Sequence, residues 1–254
     1  MAENVIVAVE NRILTIRIDR PDKKNALTRA MYIGMNDAIR QAEQDANVRV
    51  ILLTGGDDCF TAGNDIADFA SAKPGEPPVA IEYLRTLAEA KKPVVAAVGG
   101  VAIGIGTTML LHCDLVYASD NARFQLPFVN LGLCPEAGSS SILPLLVGHH
   151  RAAELIMFGE AFDADAARDF GLVNQVLAAP ELMATATQRA QQLAEKPPTA
   201  LKTAKMLLKS GAHDAIQQAM ARETQQFAAL LQGPEAKEAM MAFLQRRKPD
   251  FTKF

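Results

Sequence analysis

Two short apolar runs, each ending directly in a pair of glycines, limit the architecture that this chain can adopt. Val48–Thr54 is followed by Gly55-Gly56, and Val94–Val98 is followed by Gly99-Gly100. Short apolar runs that end in turn residues are typical of buried strands. Because predicted helices come after both runs, the first two thirds of the chain indicate repeated strand–turn–helix units in an α/β fold.

The other predicted elements fit the same scheme. A hairpin is predicted from Val5–Val9 and Ile13–Ile18, and Thr28 is predicted to cap a helix that runs to about Asp45. Further predicted elements are a loop at Ala70–Pro78, a helix at Val79–Ala90, a turn at Gly99–Gly106, and strands at Leu115–Ala118 and Val173–Val176. From Ser140 onward the pattern is mostly helical.

A proline pair separates the predicted core from a helical tail. Pro197-Pro198 is the best candidate for a hinge. We therefore predict a core of residues 1–196 that holds the site and a helical region of residues 197–254 that takes part in oligomerisation. From Thr199 to about Gln245 the tail is rich in Ala, Gln, Met and Leu. Such a tail is expected to pack either on its own core or on a neighbouring subunit.

Composition excludes several classes of protein. The 254 residues are 49% hydrophobic and 22% charged, which supplies enough apolar side chains for a full core. The formal net charge is -3 and no basic stripe stands out, so nucleic acid is not an expected partner. Three scattered cysteines without a CxxC pair predict reduced thiols and no metal site. Without a signal-peptide pattern or an uninterrupted apolar span, we expect a soluble cytoplasmic protein with no membrane partner.

Two glycine-marked turns are candidates for holding a negative charge. Gly55–Ile66 turns through Ala62-Gly63, and Gly99–Thr108 turns at Gly104 before a helix begins. Glycine lets the backbone direct N–H groups at a ligand, and two converging N–H groups stabilise an oxyanion. Taken alone, each turn is a weak signal, because a glycine after a strand is ordinarily just a turn.

The segment Phe124–Ser141 places one carboxylate in an apolar setting. Glu136 lies in a Pro-Glu-Ala-Gly turn, and the sequence around it includes Phe128 and Leu133, while Ser139–Ser141 can open a helix. Apolar neighbours raise the pKa of a carboxyl because they disfavour its charged form, which suits a residue that moves protons. From the residues alone, the alternative is an ordinary carboxylate that caps the following helix.

Together these motifs resemble the crotonase superfamily of enoyl-CoA hydratases and isomerases. The matching segments are RPDKKNALT (20–28), FTAGNDI (60–66), GGVAIGIG (99–106), HCDLVYAS (112–119), FQLPFVNLGLCPEAG (124–138) and RAAELIMFGEAFDADAARDFGLVNQV (151–176). The resemblance implies an α/β fold, a crotonase-like spiral of repeated ββα units with a C-terminal helical region that forms trimers, often paired into hexamers. It also implies an acyl-CoA thioester as substrate, with coenzyme A part of that substrate and no separate cofactor.

The resemblance also assigns roles to single residues. The thioester oxygen is expected between the backbone N–H groups of Asn64 and Ile105, although the family often has glycine where Ile105 stands. The residues expected to contact coenzyme A, largely through the backbone, are Lys24, Ala26, Ala62, Asp65, Ile66 and Lys248. Lys248, in the tail motif RRKPDF, is expected to reach the phosphates of a ligand bound to a neighbouring subunit. The Asp65 side chain is expected to cap a helix and not to be catalytic.

Two departures from the family pattern decide the expected reaction. Typical hydratases of the family carry glutamates where Thr108 and Phe128 stand here. Hydration needs one group that activates water and one group that transfers the proton at C2. Threonine and phenylalanine can do neither. Glu136 instead matches the single acid of the peroxisomal-type 3,2-enoyl-CoA isomerases, which have a similar NLGLxPEG stretch. The resemblance thus implies a shift of the double bond from 3-enoyl-CoA to 2-enoyl-CoA, with Glu136 as acid and base.

Three alternatives stay open at the level of sequence. The first is an enoyl-CoA hydratase or a bifunctional hydratase and isomerase, and the second is an isomerase of a ring-derived acyl-CoA. The third is a non-catalytic homologue that binds acyl-CoA or RNA, and the acidic net charge weighs against RNA. Three further polar residues are expected to be structural, with Thr108 shaping the pocket, His112 packing in an apolar helix and Asp114 in a turn.

Overall fold

The computed structural model of the chain describes residues 3–70 and 79–254. The ten strands among them are β1 Val5–Glu10, β2 Ile13–Ile18, β3 Val50–Thr54, β4 Cys59–Thr61, β5 Val94–Val98, β6 Val101–Ile103, β7 Leu115–Ser119, β8 Arg123–Gln125, β9 Phe162–Asp163 and β10 Gln175–Leu177. The α-helices of the described part are α1 Arg29–Gln44, α2 Ile66–Ala70, α3 Val79–Glu89, α4 Ile105–Thr108, α5 Ser139–Val147, α6 His149–Phe158, α7 Ala164–Asp169, α8 Leu182–Ala194, α9 Pro198–Ser210, α10 His213–Leu231 and α11 Pro234–Leu244. Short 3₁₀ helices lie at Pro21–Lys23, Met109–His112, Val129–Leu131, Ala179–Glu181 and Phe251–Lys253.

The larger sheet has six strands in the order β1-β2-β3-β5-β7-β10. The strands from β2 to β10 pair in parallel, and β1 joins through the antiparallel hairpin with β2. β3 and β5 are buried along their whole length. Helices α1 and α3 contribute to the core on one face of this sheet, and α8 contributes to the core on the other. Helices on both faces explain why these strands are continuous apolar runs instead of alternating ones.

The smaller sheet has four strands in the order β4-β6-β8-β9. The pairs β3–β4, β5–β6 and β7–β8 each place their first strand in the larger sheet and their second strand in the smaller one. A helix follows each pair, so the chain winds through successive ββα units. This is the repeat that the resemblance implied, and the predicted α/β fold class is confirmed.

Most predicted elements are present, but the second strand of each unit was missed. The hairpin is confirmed, and Thr28 caps α1 by accepting the N–H of Met31 at 3.3 Å. The segment predicted as a turn at Gly99–Gly106 contains β6 and the first residues of α4, so that prediction was wrong. The last predicted strand, at Val173–Val176, is found at Gln175–Leu177, so it begins two residues later and ends one residue later. After its first residue, the predicted loop at Ala70–Pro78 lies outside the described residues.

The helical tail packs at least partly on its own core. Met220 and Phe227 of α10 are buried in core clusters, and α10 packs along α5. On α9, the ammonium of Lys205 lies 2.7 Å from the carboxylate of Asp114. This ion pair, and the N–H of Val94 that donates to Asp114 at 2.8 Å, confirm a structural role for Asp114. Within the described part of the chain, no helix is both long enough and apolar enough to cross a membrane.

Candidate active site

The turn that carries Glu136 lies just before α5 and contains two consecutive left-handed residues. Ala137 has φ 62° and Gly138 has φ 72°. A left-handed conformation costs an alanine roughly 1–2 kcal/mol, and it persists only where neighbours hold it. Here Nε2 of His112 lies 2.8 Å from the carbonyl oxygen of Ala137. Since a carbonyl oxygen only accepts, His112 donates this hydrogen bond and holds the turn.

The Glu136 carboxyl is buried and has few partners. The residue is 3% exposed, and Thr108 donates its hydroxyl to Oε1 of Glu136 at 3.4 Å, a long hydrogen bond. The pKa of Glu136 is raised to about 7, mainly by burial and also by the negative charge of Glu223, while the Thr108 bond lowers it. The sequence predicted the direction of this shift from apolar neighbours, but it did not predict the second carboxylate.

Glu136 does not cap α5, so the ordinary structural interpretation of this residue fails. The N–H groups at the start of α5 donate instead to Glu223 of α10. Gly138 donates to Oε2 of Glu223 at 2.5 Å, and Ser140 donates to Oε1 at 2.8 Å. Because another carboxylate satisfies these donors, the Glu136 carboxyl is left available for chemistry.

Glu223 is a residue of the site that sequence reasoning missed. It lies in the helical tail, where a glutamate is ordinarily exposed, yet it is only 7% exposed. The available signal was its position in the helix: three residues after Met220 and four before Phe227, both on the buried face. A glutamate on the apolar face of a helix needs a buried partner, and the turn of Glu136 supplies it.

Two backbone N–H groups lie outside the local hydrogen-bond ladders. Asn64 pairs with Leu27 in a short parallel bridge, and its own N–H faces the opposite side. In this bridge Leu27 donates to the carbonyl of Gly63 at 2.8 Å and accepts from the N–H of Asp65 at 2.9 Å. Ile105 is the first residue of α4, where N–H groups have no partner within the helix. Among the described residues, neither the N–H of Asn64 nor that of Ile105 forms a hydrogen bond.

Two glycines allow the segments that carry these N–H groups to pack closely. A Cβ on Gly63, which has φ 91°, would lie 2.8 Å from the carbonyl oxygen of Ile103. A Cβ on Gly106 would lie 2.6 Å from Cγ2 of Thr61. Both distances are shorter than a van der Waals contact, so each position favours glycine. The parallel pairing of β4 with β6 then places the two segments side by side.

Tyr32 on α1 is a second site residue that the sequence did not indicate. Its hydroxyl donates to Oδ1 of Asn64 at 2.6 Å, and the residue is buried. Burial raises the pKa of this phenol well above its usual value, and the nearby charge of Glu136 raises it as well. Tyr32 therefore stays protonated and connects the Asn64 segment to the surroundings of Glu136. The available signal was an aromatic residue beside Met31 on the buried face of α1.

Five of the six residues predicted to contact coenzyme A lie on two adjoining segments, 24–27 and 62–66. The N–H of Ala62 donates to the carbonyl of Lys24 at 3.0 Å, which joins the two segments. Lys24 adopts a left-handed conformation, with φ 50°, and Ile66 begins α2. The two segments adjoin the Asn64 N–H, and their role in binding stays a prediction.

The carboxylate of Asp65 is committed to structural partners. Arg20 donates to it at 2.7 Å and holds the pKa of Asp65 below its usual value. The N–H groups of Ala67 and Asp68 donate to its other oxygen, each at 3.0 Å. The same Arg20 also donates to the carbonyl of Ala26 at 3.0 Å. These contacts confirm that Asp65 caps a helix. Its N–H is also engaged, by the carbonyl of Leu27, and its contact with coenzyme A stays a prediction.

Lys248 lies apart from this group, in the stretch after α11. It is exposed, and its carbonyl oxygen accepts from the side chain of Arg247 at 3.1 Å. Arg247 in turn pairs with Glu238 of α11. Within the described part of the chain, no hydrogen bond or ion pair joins Lys248 to segments 24–27 or 62–66. Its predicted action on the ligand of a neighbouring subunit stays a prediction.

The two positions where hydratases of the resembling family carry glutamates hold no acid here. Phe128 is 4% exposed and packs in an apolar cluster that includes Leu133. Thr108 is fully buried, and its hydroxyl faces Glu136. His112 is confirmed as a buried residue, and burial lowers its pKa to about 4, so it is neutral at neutral pH. Its packing role extends further than predicted, because it fixes the turn before α5.

The raised pKa of Glu136 has a consequence for stability. The folded protein binds this proton up to about pH 7, whereas an unfolded glutamate releases it near 4.5. Ionisation therefore destabilises the fold as the pH rises from 4.5 through 7, by up to about 3 kcal/mol. We expect Glu136→Gln to be more stable than wild type at pH 8 by about 1–3 kcal/mol, and by much less at pH 5.

Urea unfolding of both proteins at the two pH values measures this difference. Glu195→Gln, which changes an exposed glutamate at the end of α8, is the matched control and is expected to have no pH-dependent effect. A stability difference between Glu136→Gln and wild type that is the same at both pH values would show that burial does not hold the Glu136 proton.

Comparison with known proteins finds relatives that are named for reactions of enoyl-CoA thioesters. A family model described as "Enoyl-CoA hydratase/isomerase" matches residues 8–253. The chain is 34% identical to the 2,3-dehydroadipyl-CoA hydratase of Escherichia coli (strain K12), over 97% of this chain and 98% of that protein. It is 33% identical to enoyl-CoA delta isomerase 2 of Rattus norvegicus, over 97% of this chain and 64% of that protein. The crystal structure of an enoyl-CoA hydratase/isomerase from Pseudoalteromonas atlantica T6c matches with a TM-score of 0.94 and 41% identity, covering 98% of this chain and 100% of that one.

Proposed function

This chain belongs to the enoyl-CoA hydratase/isomerase family, within the crotonase superfamily, and we propose that it moves the double bond of a 3-enoyl-CoA to the 2 position. Glu136 is the single acid and base, and the N–H groups of Asn64 and Ile105 hold the thioester oxygen. One observation carries the proposal: the Glu136 carboxyl is buried, takes no part in helix capping, and has a pKa of about 7.

The reaction requires one proton to move and one negative charge to be held. Ionised Glu136 takes a proton from C2 of the 3-enoyl thioester, and the electron pair passes into a dienolate whose charge rests on the thioester oxygen. The N–H groups of Asn64 and Ile105 stabilise that charge as it develops. Glu136, now protonated, returns the proton to C4 on the same face, and the new double bond joins C2 and C3. Because no water is consumed, a single carboxyl is sufficient.

A pKa near neutrality suits a residue that acts first as a base and then as an acid. We expect kcat/KM for a 3-enoyl-CoA to fall toward acidic pH with a midpoint near 7, because the free enzyme must hold Glu136 ionised. Initial rates across a pH series at low substrate concentration measure this limb. A midpoint near 4.5, the value of an ordinary glutamate, would mean that Glu136 is not the base or is not buried in solution.

A hydratase is the second candidate, because relatives named as hydratases and as isomerases are about equally similar to this chain. The 2,3-dehydroadipyl-CoA hydratase is about as similar to this chain as the delta isomerase is. In a hydratase, Glu136 would activate water, and a second group would have to manage the proton at C2. Thr108 and Phe128 offer no such group, and Glu223 is engaged by two N–H groups. Isomerisation of a ring-derived thioester uses the same groups as the main proposal and differs from it in the acyl pocket.

The test is a comparison of two substrates with the same straight acyl chain. Wild-type protein is given either the 3-enoyl-CoA or the 2-enoyl-CoA, and the ultraviolet absorbance of the conjugated thioester is followed. We expect absorbance to rise with the 3-enoyl-CoA and to change little with the 2-enoyl-CoA. The reverse result, no change with the first and a fall with the second, would establish hydration and overturn the isomerase proposal.

We also propose that the protein assembles as a trimer or as a pair of trimers. Support comes from α9, where Met206, Leu207 and Leu208 are 56%, 62% and 86% exposed. Apolar patches of this kind are usually covered by another protein surface. Light scattering during gel filtration is expected to give about three or six times the chain mass of 27.3 kDa. A monomer would contradict the proposal and would remove the predicted role of Lys248.

A further inference from the structure

The carboxylate of Glu223 reaches the turn of Glu136 from the helical tail. We infer that Glu223 is a positioning residue for Glu136, which fixes the turn that carries the catalytic carboxylate and places a second negative charge beside it. This inference rests on the proposed function, since it assigns Glu223 a task in proton transfer by Glu136. Glu223 itself touches neither substrate nor reacting atoms in this account.

The first argument is geometric. Both oxygens of Glu223 accept hydrogen bonds from N–H groups where the turn leads into α5, from Gly138 at 2.5 Å and from Ser140 at 2.8 Å. Gly138 is two residues from Glu136 and has a left-handed backbone, so its peptide orientation sets where the carboxyl points. His112 holds the carbonyl of Ala137 from the other side at 2.8 Å. The turn is thus clamped at consecutive residues by two buried side chains.

The second argument is electrostatic. The polar groups around Glu136 in the described structure are the Thr108 hydroxyl of α4, the Tyr32 phenol of α1, the neutral His112 ring, the half-buried Cys134 thiol and the Glu223 carboxylate. Among these groups, Glu223 is the second carboxylate, and it raises the pKa of Glu136. Two N–H donors at the start of α5, those of Gly138 and Ser140, stabilise negative charge on Glu223. Its repulsion of a second negative charge opposes ionisation of Glu136 and helps the protonated acid to persist until C4 is protonated.

The charge is tested with Glu223→Gln, which keeps the shape of the side chain, against Glu195→Gln, which changes an exposed glutamate directly after α8. We expect the acidic limb of kcat/KM to move to lower pH by roughly 0.5–1 unit in Glu223→Gln. We also expect kcat on its plateau to fall roughly 10–100-fold, because the turn loses one acceptor. Glu195→Gln is expected to match wild type in both. If Glu223 served only to stabilise the fold, Glu223→Gln would lower kcat without shifting the acidic limb of the pH profile of kcat/KM. That outcome would contradict the inference.

A second readout uses no substrate. The infrared band of the protonated Glu136 carboxyl is measured across a pH series in wild type and in Glu223→Gln. The spectrum of the same protein with Glu136→Gln is subtracted in each case, so that the remaining band belongs to Glu136. If the midpoint falls in Glu223→Gln but wild type does not isomerise a 3-enoyl-CoA, the positioning role stands and the proposed function fails. If wild type isomerises the substrate but the midpoint does not move, the proposed function stands and the positioning role fails.

Glu223→Asp keeps the carboxylate, but its side chain is one methylene shorter, so the charge lies further from the turn of Glu136. We expect its infrared midpoint to stay closer to wild type than that of Glu223→Gln, while its kcat falls at least about tenfold because the turn follows the shorter side chain. If the circular dichroism spectrum of Glu223→Gln differs from that of wild type, the glutamine variant is not correctly folded. Glu223→Asp then tests the geometric argument in its place. An aspartate variant with wild-type kcat would show that the turn does not depend on Glu223.

Discussion

Glu136→Gln is expected to lower kcat for a 3-enoyl-CoA by about 10²–10⁴-fold, the usual contribution of a general acid–base group. Glutamine keeps the size of the side chain but can neither accept the C2 proton nor return it to C4. KM is expected to change little, because the oxyanion donors and the coenzyme A segments are untouched. The measurement is the rate at which the absorbance of the conjugated thioester appears, at saturating substrate and pH 8.

The fold of this variant is not expected to be at risk, because removal of a buried ionisable group favours the folded state above pH 7. Glu195→Gln serves as the matched control, with the same chemical change at an exposed position. Retention of roughly a tenth or more of the wild-type kcat by Glu136→Gln would remove this residue from the mechanism.

Ile105→Pro is expected to lower kcat by about 10²–10³-fold, since it deletes one of the two proposed oxyanion donors. Ile105 is the first residue of α4, and the first position of a helix tolerates proline because its N–H has no partner within the helix. A loss of this size corresponds to roughly 3–4 kcal/mol of transition-state stabilisation. Steady-state rates with a 3-enoyl-CoA, and a circular dichroism spectrum to verify the fold, measure the effect.

Ile105→Ala is the matched control, because alanine removes most of the side chain and keeps the N–H. Its kcat is expected to stay within about tenfold of wild type, with any larger change in KM, since the side chain of Ile105 borders the acyl pocket in this account. Equal losses in kcat for the proline and alanine variants would show that the side chain matters and the N–H does not. The oxyanion site would then have to be sought elsewhere.

Local sequence was sufficient to locate the two glycine-marked segments of the proposed oxyanion site and the turn that carries Glu136. The strand Val94–Val98 was predicted with the bounds that the structure gives. Gly63 and Gly104, which directly precede Asn64 and Ile105, marked the places where the chain turns. These features are local, because turn residues and apolar runs are set by backbone conformation and burial. The resemblance to the crotonase superfamily then connected segments that local pattern alone could not.

The short second strands of the ββα units escaped prediction for a physical reason. β4, β6 and β8 have three residues each, too few to display the alternation that identifies a strand. Their stability comes from pairing between distant segments, such as Cys59 with Val101 and Val101 with Arg123. This pairing cannot be inferred from local sequence, so the residues of these strands were interpreted as parts of the glycine turns.

Tyr32 and Glu223 escaped prediction because their contacts are purely tertiary. Tyr32 meets Asn64 across the interface between α1 and the Asn64 segment. Glu223 meets the turn of Glu136 from a helix far along the chain. In each case a helix-face argument could have marked the residue as buried, but no pattern in the sequence names the partner. The raised pKa of Glu136 depends partly on that unseen neighbour.

The central claim is that one carboxyl carries the proton from C2 to C4, and a labelled substrate tests it most directly. A 3-enoyl-CoA with both C2 hydrogens replaced by deuterium is converted in ordinary water under single-turnover conditions, and the product is analysed by mass spectrometry and NMR. The account predicts that a substantial share of the product carries one deuterium at C2 and one at C4, because buried Glu136 exchanges slowly with solvent. A product with deuterium at C2 and none at C4 would contradict it, since the proton at C4 would then have come from water or from a second acid.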